Sequence, residues 1–163
     1  MTKQHIRRYI WLAVAVFWMF LIFYFSAQKA AESSEVSGTL TYRVAEWASQ
    51  MFHLDWGANT LVKYSKMLQH PVRKAAHMTE YAILAAIFLG NCSQYPVLKK
   101  RRYCVAWLSA SVYAATDEFH QLFVEGRSGE FKDVCIDSTG ALIGLLAVWA
   151  AVRIYSRFCS RSS

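Results

Sequence analysis

Residues 9–25 form an unbroken apolar and aromatic run that has no charged side chain and follows Arg7 and Arg8 directly. A helix that spans the bilayer core needs about 20 apolar residues. A signal peptide is the alternative, because basic residues also precede its apolar segment. No good small-x-small cleavage site follows, since Ser26-Ala27-Gln28 is a poor match. We therefore predict an uncleaved first membrane helix at 9–25.

Three further apolar segments carry ionisable residues, which weaken the hydropathy signal of each segment. We place the remaining membrane helices at about 72–89, 103–123 and 134–155. Pro71 suits the first turn of the second helix. The predicted fold class is all-α: an integral membrane four-helix bundle, one domain over residues 1–163, with a partly helical outer loop at 26–71.

The outer loop is too long for a simple turn and contains two amphipathic stretches. Apolar residues recur at helical spacing in each stretch: Val44, Trp47 and Met51, then Leu61, Tyr64 and Leu68. Residues 53–59 separate the two. We expect both stretches to lie on the outer membrane interface or to cap the bundle.

The distribution of charge predicts how the chain is oriented. A net charge of +7 is compatible with nucleic-acid binding, but the basic residues flank apolar stretches, as cytoplasmic ends of membrane helices do. The clusters are Lys3, Arg7 and Arg8, then residues 99–102, then Arg153, Arg157 and Arg161. We therefore predict a multi-pass protein of the bacterial plasma membrane with both termini cytoplasmic, and no nucleic-acid partner.

Several other residue types have simple structural interpretations. Gly126 and Gly129 indicate a turn, and Gly140 with Gly144 indicates a close-packing helix face. The four cysteines have no CxxC spacing, so neither a zinc site nor a redox motif is indicated, and all are interpreted as apolar fillers. We expect His5, His53 and His70 to be surface residues and His120 to be peripheral.

The polar residues of the four helices are predicted to converge. Helices 1 and 3 run outward and end at Ser26 and beyond Asp117, whereas helices 2 and 4 run inward and begin near Lys74 and Asp133. All four polar sets then lie in the outer half of the bilayer. A charged group at the bilayer centre costs about 2.5–3.5 kcal/mol on insertion scales, so these groups must face one another or a water-filled cavity. An acidic surplus remains, which a shared proton or a bound cation would balance.

Four segments together resemble the VanZ-like family over about residues 22–150. The matching residues are Phe25-Ser26-Ala27-Gln28 with Ser33, Ser34 and Ser37; Lys74, His77, Tyr81 and Leu84; Asp117, Glu118, Gln121, Phe123, Gly126 and Arg127; and Asp133, Asp137 and Gly140. Asp137 departs from the pattern, which often has Asn there. The resemblance implies a bacterial membrane protein associated with low-level resistance to teicoplanin, a lipoglycopeptide that binds cell-wall precursors outside the membrane.

Two functions are compatible with these residues. In the first, the protein is an enzyme that acts on a lipid or lipid-linked cell-wall precursor of the outer leaflet. His77 would be the general base or acid, oriented by Asp117 or Glu118. Lys74 and Arg127 would hold a phosphate or carboxylate. In the second, the protein is a non-enzymatic module that binds a lipid headgroup, a glycopeptide or a partner protein.

The remaining site residues have supporting roles in either case. Asp133 and Asp137 complete the network or bind a divalent cation through their oxygens. Ser26 is a conceivable nucleophile. The predicted substrate-binding residues are Arg127, Gln121, Tyr81, Ser26, Gln28, Asp133 and Asp137. No resident metal and no cofactor is assigned.

Overall fold

The computed structural model describes residues 2–160, except for the side chains of residues 30–33 and 36. Its elements are α1 (Lys3–Ser26), α2 (Ala30–Met51), α3 (Ala58–Cys92), a 3-10 turn (Pro96–Leu98), α4 (Arg102–Gln121) and α5 (Phe131–Cys159). No strand occurs within 2–160, so the all-α fold class is confirmed. Arg161 of the third basic cluster and the side chain of Ser33 lie outside the described residues.

Helices α1, α3, α4 and α5 alternate in direction along the bundle. Near the start of α1, the Arg8 guanidinium donates to the carbonyl oxygen of Gln94, just after α3 ends. Near the end of α1, Arg127 from the α4–α5 loop donates to the carbonyl oxygen of Gln28. We call the end that contains Arg127 the polar end of the bundle, and the end that contains Arg8 the basic end.

Helix α3 is the central element, and it begins earlier than the sequence indicated. Instead of starting near Val72, it starts at Ala58 and continues through Pro71, which lies inside the helix. Proline lacks the N–H that bonds to the carbonyl one turn earlier. Pro71 is exposed, and α3 packs against α1, α2, α4 and α5 along its length. We infer that this packing outweighs the local cost, so the prediction for Pro71 was wrong.

Helix α2 and the first half of α3 form a hairpin joined by small polar contacts. The hydroxyls of Thr41 and Ser65 lie 3.0 Å apart, and Ser65 donates to the carbonyl oxygen of Gly38 at 3.2 Å. The predicted break is confirmed at residues 52–57, where His53 and Asp55 have positive φ angles. The apolar stripe of α2, made of Val44, Trp47 and Met51, is exposed and faces away from α3.

Two glycines set the separation of α3 and α5. A Cβ on Gly140 would fall on the backbone of Met78, and one on Gly144 would fall on the backbone of Ala82. The two backbones therefore lie in direct contact, as in small-residue packing of membrane helices. The close-packing interpretation of this face is confirmed.

The surface of the bundle is unusually apolar. Large apolar side chains are exposed along α1 and α5, among them Phe17, Phe20 and Ile143. Such an extended apolar surface is unfavourable in water. Two helices, Lys3–Ser26 and Phe131–Cys159, are long and apolar enough to cross a membrane. These observations fit a membrane protein, whereas the number of spans stays a prediction.

The cysteines follow the prediction only in part. Cys92 is buried near the end of α3, as expected of an apolar filler. Cys104, Cys135 and Cys159 have exposed side chains. These three lie on the outer faces of α4 and α5, so they do not fill the core of the bundle.

Candidate functional site

A cavity of about 190 Å³ opens at the polar end between α3, α4, the α4–α5 loop and α5. Most of the predicted site residues line it: Lys74, His77, Glu118, Gln121, Arg127, Asp133 and Asp137. The other lining residues are His70, Arg73, Gly126, Ser128 and Glu130. The expected convergence of polar groups from different helices is therefore present at one end of the bundle.

An ion pair between Lys74 and Asp133 joins α3 to α5 at one wall of the cavity. Both side chains are largely withdrawn from solvent, with exposed fractions of 24% and 16%. Asp133 also lies in the first turn of α5, where the helix dipole favours a negative charge. Asp137, one turn further along α5, is buried and faces the same cavity.

The end of α4 contributes a hydrogen-bonded group of two carboxylates and one amide. The Gln121 side chain donates to Asp117 at 3.4 Å and to Glu118 at 3.3 Å. Glu118 also accepts a hydrogen bond from the backbone N–H of Glu130 at 3.1 Å. Because Glu130 immediately precedes α5, Glu118 connects α4 to the start of that helix.

Three buried side chains lie together next to the cavity without lining it. Ser26 and Tyr81 are fully buried, and Asp117 is 3% exposed. The two hydroxyls face the Asp117 carboxyl. Yet the Ser26 and Tyr81 hydroxyls and one Asp117 oxygen have no partner with hydrogen-bond geometry among the described residues. Buried polar groups normally find partners, and the Asp117 carboxyl is the group that the Ser26 and Tyr81 hydroxyls face.

His77 does not have the partner that the enzyme hypothesis expected. Its Nδ1 lies 3.7 Å from a carboxylate oxygen of Glu80 on the same helix, which is too long for a hydrogen bond. Neither Asp117 nor Glu118 forms an ion pair with it within residues 2–160. In this structure the two carboxylates accept hydrogen bonds from Gln121 and from the backbone of Glu130, and the orientation of His77 by either acid stays a prediction.

Arg127 connects the α4–α5 loop to the end of α1. Its guanidinium donates to the carbonyl oxygens of Gln28 at 3.1 Å and Phe25 at 3.5 Å. The preceding Gly126 has a φ of 74°, which confirms the turn and which L side chains rarely adopt. Burial lowers the pKa of Arg127, and the nearby Arg73 cation lowers it further. Arginine nonetheless stays charged, so two guanidinium groups lie near each other at the cavity.

The Arg127 contacts lead to a prediction about the end of α1. Replacing Arg127 with glutamine should remove the charged donors from the last carbonyls of α1. Charged hydrogen bonds contribute about 1.5–3 kcal/mol. Because such an energy corresponds to a factor of about ten or more in the opening equilibrium, amide hydrogen exchange in residues 25–30 should become at least about tenfold faster. The exposed Lys132→Gln is the control and should leave exchange unchanged. Equal exchange in both variants would show that Arg127 does not hold α1.

Sequence reasoning missed two basic residues and misjudged a third position. His70 is exposed, as expected of a surface residue, but it and Arg73 line the cavity. His70, Lys74 and His77 have helical spacing, which places them on one face of α3. Because the predicted helix began at residue 72, His70 was assigned to the outer loop and not to this face. Gln28 lies outside the cavity and contributes a backbone carbonyl to Arg127 instead of its side chain.

His120 and the two candidate cation ligands of α5 have different surroundings. His120 packs against Phe23 of α1 with ring centroids 4.3 Å apart, away from the cavity. Among residues 2–160, no three His, Cys, Asp or Glu side chains are arranged to hold a metal ion. The proposed cation binding by Asp133 and Asp137 therefore has no third acidic, histidine or cysteine ligand in the described part.

Comparisons with known proteins identify the family. No curated protein and no solved structure shows significant similarity to the chain. The sequence model described as VanZ/LLP1 matches residues 11–153, which include every residue of the cavity. Since this match covers most of the chain, the protein belongs to the VanZ/LLP1 family.

Proposed function

We propose that this protein spans the bacterial plasma membrane four times, through α1, the second half of α3, α4 and α5, with the polar end outside. The alternating directions of these helices support this topology. The nine described basic residues of the three clusters lie toward the basic end of the bundle, where the described part of the chain has no acidic side chain. Basic residues favour the cytoplasmic side.

The cavity supports a role in binding the headgroup of a lipid or lipid-linked cell-wall precursor in the outer leaflet. Arg73 and Arg127 supply planar guanidinium donors that suit a phosphate or carboxylate. Asp137 and Glu118 supply acceptors for hydroxyl or ammonium groups on the same ligand. The observation that carries the proposal is this combination of cationic and acidic side chains in one cavity at the polar end of the bundle.

The size of the cavity limits what can enter it. A volume of about 190 Å³ is below the 300–1,000 Å³ of typical small-molecule pockets. A phosphate with a small polar substituent fits such a space, whereas a complete lipoglycopeptide does not. An effect on teicoplanin susceptibility would therefore act through a lipid or precursor instead of through enclosure of the drug.

The geometry favours binding over catalysis in one respect. A general base needs an orienting partner and a reacting group within hydrogen-bond reach. The Nδ1 atom of His77 has no hydrogen-bond partner among the described residues, and Ser26 is buried outside the cavity. The enzyme remains the second candidate, because His77, Lys74 and carboxylates do share one cavity. Turnover separates the two: an enzyme alters its ligand, whereas a binding protein releases it unchanged.

Teicoplanin susceptibility of a Gram-positive host tests the proposal. Wild type should raise the minimum inhibitory concentration, whereas Lys74→Ala, His77→Ala and Asp117→Asn should return it to the empty-vector value at matched membrane levels. These substitutions alter the charges of the cavity or the buried group beside it. His53→Ala is the matched control, because His53 is exposed in the α2–α3 link, away from the cavity.

Each result has a direct meaning. Protection that survives all three substitutions would overturn the role of the cavity and would identify the network as helix packing alone. If wild type gives no protection, the proposed link to teicoplanin fails for this chain. If only these three variants lose protection, the lipid and precursor pools of the host separate the two candidates. The pools of wild type and variants should differ if the protein is an enzyme, and they should agree if it is a binding protein.

A further inference from the structure

A second, larger cavity lies at the basic end of the bundle. Its volume is about 720 Å³, and it lies between the start of α1 and the connection from α3 to α4. Four basic side chains line it, two from each side: Lys3 and Arg7 of α1, and Lys99 and Arg102 of the connection and the start of α4. We call this the basic groove.

The charge of the basic groove is not balanced by acidic side chains. None of its four cations forms an ion pair in the described part of the chain. The sequence explains this, because acidic residues are absent from 1–31, from 81–116 and from 138–163. Like charges held on facing walls repel each other, so an anion between the walls would be favourable.

The walls of the basic groove are held in place by Arg8. Its guanidinium donates to the Gln94 carbonyl oxygen at 3.3 and 3.4 Å and lies 4.7 Å from the centre of the Tyr95 ring. These contacts fix α1 against the connection, with Arg7 adjacent to the locked residue. The approach of the two walls of the groove is therefore fixed by contacts between α1 and the connection.

An exposed apolar side chain lies beside the basic groove. Val97, in the turn between Lys99 and Tyr95, is 87% exposed. An exposed aliphatic side chain beside a row of cations suits the boundary between acyl chains and headgroups. Basic pockets between membrane helices on the cytoplasmic side bind anionic lipid headgroups.

We propose that the basic groove binds an anionic phospholipid of the inner leaflet, and that a lipid with two phosphates binds best. One phosphate would contact Lys3 and Arg7, and the second would contact Lys99 and Arg102. Such a lipid would bridge α1 and the α3–α4 connection. This site lies at the opposite end from the polar cavity, and it depends only on the membrane insertion that the proposed function includes.

Native mass spectrometry of the purified full-length protein tests this, with cardiolipin and phosphatidylcholine as the probe lipids. Wild type should retain cardiolipin in preference to phosphatidylcholine. Arg7→Gln combined with Lys99→Gln should weaken cardiolipin binding on the order of tenfold, since each basic residue near anionic lipid contributes comparably. The matched control is Lys100→Gln combined with Arg101→Gln, which removes the same amount of charge from the α3–α4 connection but from residues outside the groove.

Three outcomes would overturn the proposal. If both double variants lost cardiolipin binding equally, the binding would reflect general attraction between charges. If wild type showed no preference for cardiolipin over phosphatidylcholine, the groove would not be a lipid site. Competition by inorganic pyrophosphate as strong as by the lipid would indicate a soluble anion instead. Vesicle flotation and size-exclusion elution identify any variant that fails to insert or fold. Failed insertion of the wild type would contradict the four-span topology and not the groove.

Discussion

Gly140→Leu is expected to cause one of the largest losses of stability in the bundle. The added Cβ would fall on the backbone of Met78, and a backbone cannot rotate away as a side chain can. Helices α3 and α5 would have to separate, which would also disturb the Lys74–Asp133 ion pair at their polar end. Overpacking of a core costs about 1–3 kcal/mol and occasionally more, and we expect a value at the upper end.

The measurement is thermal unfolding in detergent. It is monitored as the fraction of protein that still elutes as a monodisperse species from a size-exclusion column after heating. Gly144→Leu should behave in the same way, because its Cβ would meet the backbone of Ala82. Gly57→Leu is the control, since no atom lies within 4 Å of a Cβ at that position. A Gly140→Leu protein as stable as the Gly57→Leu protein would contradict the close contact of α3 and α5.

Lys74→Met is expected to cause the second large effect, because it leaves the Asp133 carboxylate without its partner. Removing one member of a buried ion pair costs about 3–5 kcal/mol. The partial exposure of this pair should reduce the loss to about 2–4 kcal/mol. Replacing both residues, as in Lys74→Met with Asp133→Leu, should recover most of the stability, since no charge is then left unpaired. Protection against teicoplanin should stay lost.

A second ion pair of the chain provides the comparison. The Nζ atom of Lys29 lies 2.7 Å from the Oε2 atom of Glu125, but the two side chains are 59% and 77% exposed. Exposed pairs contribute little, so Lys29→Met should not change the unfolding temperature measurably. If Lys74→Met were as harmless as Lys29→Met, the pair between α3 and α5 would not hold the cavity together. If the double variant were no more stable than Lys74→Met, packing and not charge would be the cause.

Much of the fold and the position of the site were predictable from the sequence. Apolar runs and their basic flanks predicted four of the helices and their directions, because the hydrophobic effect and the distribution of charge act on each segment separately. Once the directions were known, Lys74, Asp117 and Asp133 had to lie toward one end. The family match over residues 11–153 agrees with the motifs that predicted it.

Other features depended on contacts that no single segment contains. Helix α3 continues through Pro71 because it packs against other helices on both sides of that residue, and this outweighs a missing backbone hydrogen bond. That continuation brings His70 and Arg73 to the cavity. The surroundings of His77 also depended on contacts between helices, since its nearest carboxylate is that of Glu80 instead of Asp117.

The sequence by itself determined which segments are helical, which ends carry the basic residues, and that the ionisable groups of α3, α4 and α5 meet. These properties follow from local composition, which each segment carries with it. Only the tertiary structure decided which acid pairs with which base, because side-chain partners depend on the rotation and spacing of whole helices. Here that spacing is set by Gly140 and Gly144, where the backbones of α3 and α5 touch.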